Sequence, residues 1–333
     1  MAMVTADEIA RAAALLRAGG LVAFPTETVY GLGADAANED AMRRLFAAKG
    51  RPTDHPVIVH LADAAQLSEW ARSVPEAARV LAAAFWPGPL TLIVPRAAAV
   101  LDIVTGGQDT VGVRVPSHPV AHALLVAFGG GIAAPSANRF GHISPTRAAH
   151  VRTEFDEATV PLVLDGEPPE IGVESTIVDV SGPRPTLLRP GGITPAQLAA
   201  VLGEPVADPT ASSPRAPGTL ARHYAPRTPL EIVSAKELPR RVAVLLRQSN
   251  VGAVLLRTVS IGKPAYQGTA QTLATATLPL DVAGYAHGLY QYLRALDDEA
   301  RAIHAPRILV EDVPNGDEWL AVRDRLRRAA QSS

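Results

Sequence analysis

The stretch "KGRPTDHPVIVH", residues 49–60, holds Lys49, Arg51, His55 and His60 within twelve residues. Gly50, Pro52 and Pro56 stop the helical pattern before it and prevent a new one, so the cations are expected to point from a loop at a helix C-terminus. A cation at a helix C-terminus complements the helix dipole by about 0.3–1 kcal/mol. That accounts for one charge. It does not account for two charges and two imidazoles in a loop fixed by glycine and proline. Nor does it account for the lysine: the chain has three lysines against 28 arginines, and Lys49 is the only lysine in the first 235 residues. A compact ammonium beside a planar guanidinium suits a polyphosphate.

A second polar cluster is "APSANRFGHISPT", residues 134–146. Ser136 and Asn138 follow a strand-like run. Ser144 reads as a helix N-cap with Pro145 at the first helical position, and the N–H groups of such a start favour an anion. An ordinary turn of Ser, Asn and Gly has the same composition. Thr26, Glu27, Thr28 and Tyr30 stand at a strand end in "FPTETVYGLG", and Glu174, Ser175 and Thr176 open a strand in "GVESTIVDV". Arg114 lies inside an apolar strand, "VGVRV", and Arg189 ends the apolar run of "LLRPGG". Arginines in such places are paired or bind something. Arg114 suits a carboxylate and Arg189 a phosphate; either is equally suited to an internal salt bridge.

Three familiar motifs fail. "GLGADA", 31–36, fits a loose dinucleotide fingerprint, but "PTETVY" separates it from the preceding strand. Gly262-Lys263 lacks the glycine five residues earlier that a P-loop requires. His118 and His122 have helical metal-ligand spacing, with Pro119 in the first turn. No glutamate follows the first histidine and no third ligand is near, so they read as structural.

The elements that must position these residues form an α/β pattern. Strands are predicted at 21–24, 57–61, 90–94, 111–115, 131–135, 162–164 and 176–180. Helices are predicted near 6–18, 39–48, 63–71, 75–84, 118–128, 145–153 and 194–202. Residues 203–229 are rich in Pro, Ala, Ser and Thr and read as a linker, yet "RHYAP" inside it carries a cation, an imidazole and a phenol. A second α/β block follows, with strands at 230–233, 252–256 and 307–311 and helices near 236–247, 281–303 and 317–330. The expected domains are therefore 1–204, a linker at 205–229, and 230–333. The 333 residues, 47% hydrophobic and 19% charged, suit a globular protein of two domains. A net charge of −2 supplies no overall drive toward nucleic acid. With no cysteine, disulfides, thiolate metal sites and a cysteine nucleophile are excluded. No signal-peptide pattern or membrane-length apolar run is visible, and a cytoplasmic location is expected.

Taken in order, "FPTETVYGLGADA", "KGRPTDHPVIVHL", "WPGPLTLIV", "VGVRVP", "APSANRFGHISPT", "GVESTIVD", "LLRPGGI" and "APGTLARHYAP" resemble the YrdC family, the threonylcarbamoyl-AMP synthases, in its long form. The motifs cover about residues 5–230, and the likeness continues more weakly through "DVAGYAHGLYQYLRALDDE". The resemblance implies an α/β fold, α+β-like, with a twisted mixed sheet, and a small Rossmann-like C-terminal domain. It implies that L-threonine, bicarbonate or CO2, and ATP with Mg²⁺ give threonylcarbamoyl-AMP and pyrophosphate. Partner proteins would then transfer the group to tRNA, without stable nucleic-acid binding by this chain. By the same resemblance Lys49, Arg51, Ser136 and Asn138 form the catalytic set. Arg51, His55, Thr110, Ser136, Ser144, Arg189 and Tyr224 would contact ATP. Thr28, His60, Arg114, Ala134 and Ser175 would contact threonine, and no protein metal site is implied. His55 stands where the family often has Asn, and Glu167 where it often has Gly. A linker carrying Tyr224 suits a lid over the site. Two other classes use related folds: an RNA-binding module, for which the chain lacks a basic stripe, and a carbamoyl-transfer enzyme of metallocentre maturation, which would need cysteine-bearing parts.

Overall fold

The computed structural model describes residues 4–220, 223–257 and 272–331. Arg222 and the Gly262-Lys263 pair lie outside the described residues. The chain divides into two compact units, Met1–Phe140 with Ser144–Thr219, and Gly141–Ile143 with Leu220–Ser333. Residues 205–219 of the segment read as a linker thus belong with the first unit, and 220–229 with the second.

In the first unit the strands are β1 (Val22–Phe24), β2 (Gly31–Asp35), β3 (Ile58–His60), β4 (Leu90–Pro95), β5 (Thr110–Arg114), β6 (Ile132–Ala133), β7 (Leu162–Val163), β8 (Thr176–Asp179) and β9 (Thr186–Arg189). Together they make a mixed sheet in the order β7-β1-β2-β6-β3-β5-β4-β8-β9. The helices are α1 (Ala6–Arg17), α2 (Glu39–Lys49), α3 (Leu67–Trp70), α4 (Glu76–Phe85), α5 (Asp102–Thr105), α6 (Pro119–Phe128), α7 (Ala148–Glu154) and α8 (Pro195–Leu202).

Alternation along the central strands sorts side chains to two faces. Val57, Val59, Leu61, Leu92, Val94, Val111, Val113, Ala133 and Val178 enter the main core with Leu45 and Phe46 of α2 and Leu81 of α4. Ile58, Ile93 and Ile177 point the other way, where they meet Leu188 and Ala216. That second face also carries His60 and Arg114, paired across β3 and β5. Beyond β6 it is covered by Leu16 of α1 and Leu124 and Leu125 of α6, which pack on Val22, Phe24 and Ile132. Between the helical cover and the Ala216 patch this face carries His60 and Arg114, both buried.

The "GLGADA" stretch is itself a strand, β2, which the sequence reading missed. Its glycines serve packing. A Cβ at Gly33 would lie 2.8 Å from Phe24 and 2.9 Å from Ile132, and one at Gly31 would lie 3.2 Å from Ala134. Their absence lets Phe24 lie flat across the sheet. Strand β9, helix α5 and, in the second unit, the Thr272–Leu278 strand were likewise not expected.

The second unit holds β10 (Leu230–Val233), β11 (Val251–Arg257), β12 (Thr272–Leu278) and β13 (Ile308–Glu311) in the order β10-β13-β11-β12. Every pairing is parallel. Its helices are α9 (Leu238–Ser249), α10 (Val282–Ala302) and α11 (Leu320–Ala330). Val242, Leu245 and Leu246 of α9 pack on Val254 and Leu309.

Candidate active site

Arg114 is 3% exposed, on the same face of the sheet as His60. Its Nη1 donates to Thr28 Oγ1 at 3.0 Å and its Nε to the Gly88 carbonyl at 3.2 Å. Its Nη2 lies 2.6 Å from Glu27 Oε1. Both members of this ion pair are buried, so each depends on the other: a buried charge left alone costs several kcal/mol. Thr28 is fixed in turn by Thr26, whose hydroxyl lies 2.8 Å away. A guanidinium has five N–H bonds, and these contacts leave N–H groups over for a carboxylate.

His60 is opposite Arg114 in the register and packs edge-on against Phe24, ring centroids 6.4 Å apart. Burial, and then the Arg114 charge, push its pKa down to about 3. The imidazole is therefore neutral at physiological pH. Its Nδ1 has no hydrogen-bond partner among the described residues. Ala134, two residues past Ile132, lies on the same face.

On the neighbouring strands Thr91 Oγ1 and Ser175 Oγ are 2.8 Å apart. Arg189 donates to the Ser175 carbonyl from Nε at 3.1 Å and from Nη2 at 2.9 Å, and from Nη2 to Ser175 Oγ at 3.0 Å. Its Nη1 reaches the Pro217 carbonyl at 2.9 Å. Pro217 and Ala216 lie in the segment that follows residue 205, so this part of the expected linker covers the site face of its own unit. Thr110 begins β5, on the same face as Gly112 and Arg114.

Helix α2 is capped by Asn38, whose side chain accepts from the Ala41 N–H, and ends at Gly50 in the left-handed conformation, φ 62°. Lys49 is thus the last helical residue rather than a loop residue. It is 2% exposed, and Nζ donates to the carbonyls of Ser136 and Asn138, both at 2.5 Å. Burial first, then Arg51, lowers its pKa well below the ordinary lysine value, with Glu154 opposing. The lysine thus ties the helix end to the loop carrying Ser136 and Asn138. Arg51 does come from the loop. It donates to the carbonyls of Pro56 at 2.8 Å and His55 at 3.4 Å, and its guanidinium lies over Phe140, 5.5 Å from the ring centroid. His55 packs edge-on against Phe140 at 5.4 Å, and burial, then Arg51, lowers its pKa.

One expectation is corrected here. Ser144 is not a helix N-cap: α7 begins at Ala148, and Ser144, fully buried, donates to Glu174 Oε1 at 2.5 Å. The Pro145 carbonyl accepts from the Tyr30 N–H at 2.9 Å, ahead of the helix. His118 and His122 read as structural. His118 is itself the N-cap of α6, its Nδ1 accepting from Val120 N–H at 3.2 Å, and His122 is exposed. Tyr224 lies in the second unit, stacked on Tyr290 at 5.9 Å and beneath the Arg325 guanidinium at 5.0 Å, with φ 60°.

The sequence reading did not assign Thr91, Glu27 and Glu174 to the site. The signal for Glu27 and Glu174 was a carboxylate inside an otherwise apolar motif. For Thr91 it was a hydroxyl on the Ile93 side of an alternating strand. Among the described residues no three His, Asp or Glu side chains are grouped to hold a metal ion, and no helix is long and apolar enough to cross a membrane.

A mixed α/β sheet that carries buried cations and hydroxyls on one face, between two apolar clusters, suits a small-molecule site. The Sua5/YciO/YrdC family, described as "Telomere recombination", matches residues 14–191, and the family described as "Threonylcarbamoyl-AMP synthase, C-terminal domain" matches 193–331. The chain belongs to the Sua5/YrdC family in its long, two-domain form. Threonylcarbamoyl-AMP synthase of Bacillus subtilis is 42% identical over 328 residues, covering 97% of this chain and 93% of the relative. That of Pyrococcus abyssi is 39% identical over 331 residues, covering 96% and 93%. The crystal structure of P. abyssi Sua5 complexed with L-threonine superposes with a TM-score of 0.87 at 38% identity, covering 99% of this chain and 96% of that one.

Proposed function

We propose that the chain is an L-threonylcarbamoyladenylate synthase, which condenses L-threonine, bicarbonate or CO2, and ATP to threonylcarbamoyl-AMP and pyrophosphate. The observation that carries this is the placing of two buried arginines on one sheet face, Arg114 held by Thr28, Gly88 and Glu27, and Arg189 by Ser175 and Pro217. Full-length relatives bearing this name support the reading.

In the proposed complex the threonine carboxylate takes the spare N–H bonds of Arg114. Thr28, neutral His60, Ala134 and Ser175 surround the rest of the amino acid. A neutral imidazole matters here, because a second cation beside Arg114 would repel the threonine ammonium. The amine, once deprotonated, adds to CO2 to form a carbamate. A carbamate oxygen then attacks the α-phosphorus and pyrophosphate leaves in line, so no protein nucleophile is needed. The site's tasks are to hold two reactants in line and to offset charge on the triphosphate. Arg51, His55, Thr110, Ser136, Ser144 and Arg189 are the proposed ATP contacts on the first unit. Lys49 acts by fixing the Ser136–Asn138 loop.

Magnesium would reach the site on ATP. The buried carboxylates nearby are already engaged, Glu27 with Arg114 and Glu174 with Ser144, so the ion would rest on phosphate oxygens and water rather than on a protein cage. The reaction belongs in the cytoplasm, beside the tRNA-modifying proteins that consume its product.

The test is pyrophosphate release with product identification by mass spectrometry. Release is expected only when threonine and bicarbonate are both present. Equal release from ATP with neither would overturn the proposal.

A further inference from the structure

The second unit has a polar cluster that the proposed reaction leaves unused. Strand β12 pairs with β11 on the side away from β13. From the carboxyl end of β13 the chain continues to α11, which packs by β10 on the other side. Where neighbouring parallel strands send their connections in opposite directions, a crevice opens at their carboxyl ends, and such sheets bind ligands there. The residues at this place are Arg257, last in β11, and Glu311, last in β13.

Glu311 is 8% exposed, and its Oε2 accepts from the Arg257 backbone N–H at 3.0 Å. The Arg257 guanidinium lies over the Trp319 ring, 5.5 Å from its centroid, and its Nε is buried with no hydrogen-bond partner among the described residues. Tyr285, in the first turn of α10, is fully buried and packs edge-on against the same indole at 5.5 Å. Its hydroxyl also has no partner among the described residues. Burial raises its pKa, Glu311 and Asp312 add to this and Arg257 opposes, so the group is a neutral donor with three charges around it. A buried donor without a partner costs about 1–3 kcal/mol. Both side chains pack on the Trp319 ring, at a place where the sheet topology provides for a ligand.

We propose that this crevice binds a small zwitterion of the α-amino-acid class, its carboxylate on Arg257 and Tyr285 and its ammonium on Glu311. A simple anion would satisfy the two donors but face Glu311 and Asp312. A simple cation would satisfy the acids and leave both donors unmet. A zwitterion answers all of them. The second unit then senses an amino acid independently of the reaction site, and the proposal does not rest on the reaction assigned above.

Titration calorimetry on the full chain with each of the twenty standard L-amino acids tests this, in wild type, Arg257→Gln and Tyr285→Phe. At least one amino acid is expected to bind, about tenfold more weakly in Tyr285→Phe and about a hundredfold more weakly in Arg257→Gln. Threonine binding at the reaction site would register unchanged in both variants, so failure of that site and failure of this one are distinguishable. Without ligand, Tyr285→Phe should melt at the wild-type temperature or above it, because an unmet hydroxyl has been removed. Three results would overturn the proposal: no amino acid whose binding either variant alters; a crystal soaked with the amino acids holding only water in the crevice; or a melting temperature several degrees lower in Tyr285→Phe, which would show that the hydroxyl already has a partner.

Discussion

Arg114, His60, Ser175 and Arg189 are buried on a face of the nine-stranded sheet, whereas on the four-stranded sheet Arg257 and Glu311 stand at the carboxyl edge. The difference follows from cover. A parallel sheet is packed by helices on both faces, so Ala253, Val254 and Leu255, and Ile308, Leu309 and Val310, are buried whichever way they point. Polar groups then find room only where strands end. The mixed sheet is covered on its second face only in part, by α1 and α6 at one end and by Ala216 at the other. The strip between is a built polar surface. Its charges are worth more than exposed ones because they are desolvated, and they are also harder to lose.

That contrast can be broken or sharpened by substitution. Arg114→Ala should have the largest effect, lowering kcat/KM for threonine by about 10²–10³. It should also destabilise the fold by roughly 3–5 kcal/mol, since Glu27 is left buried and unpaired. Steady-state kinetics and urea unfolding read the two losses. Lys49→Met keeps the chain length and removes the bonds to the Ser136 and Asn138 carbonyls. Activity should fall about 10²-fold through misplacement of that loop, with KM for ATP moving more than KM for threonine.

His60 gives a pH signature. Its folded pKa of about 3 lies below the ordinary 6.5, so the unfolded chain takes up a proton that the folded chain refuses. Its contribution therefore lowers stability as pH falls from 6.5 toward 3, by about 1.4 kcal/mol per unit, and is flat above 6.5. Between pH 7 and 5, wild type should lose about 2 kcal/mol more than His60→Leu in urea unfolding. The smallest effect belongs to the second unit. Glu231 bonds Arg241 at 2.7 and 2.8 Å and Arg307 at 2.7 Å, but these side chains are 26–42% exposed. Glu231→Gln should cost only about 0.5–1 kcal/mol, measured the same way and further reduced by salt.

What could be read from the sequence was local. Gly50, Pro52 and Pro56 announced the Arg51 loop, and the apolar run around Arg114 announced its strand. The α/β class followed from the same punctuation. What could not be read was long-range. Thr91 and Ser175 meet across 84 positions, and β6 is inserted between β2 and β3. The "GLGADA" glycines look like a nucleotide loop because a glycine needed for close packing and one needed for phosphate approach are the same residue. Ser144 has the composition of a helix cap, yet its hydroxyl is claimed by Glu174, thirty residues away. Lys49 was noticed for its rarity, but its two carbonyl partners, which change its role from charge to anchor, lie on another loop.

The most direct measurement is a crystal structure of the chain with L-threonine and a non-hydrolysable ATP analogue. The threonine carboxylate is expected within hydrogen-bond distance of Arg114, on the sheet face that carries His60 and Ser175, with room between the amine and the α-phosphate for the carbamate whose oxygen attacks. Threonine bound elsewhere, with Arg114 still held only by Glu27, Thr28 and Gly88, would contradict the assignment of this face as the reaction site.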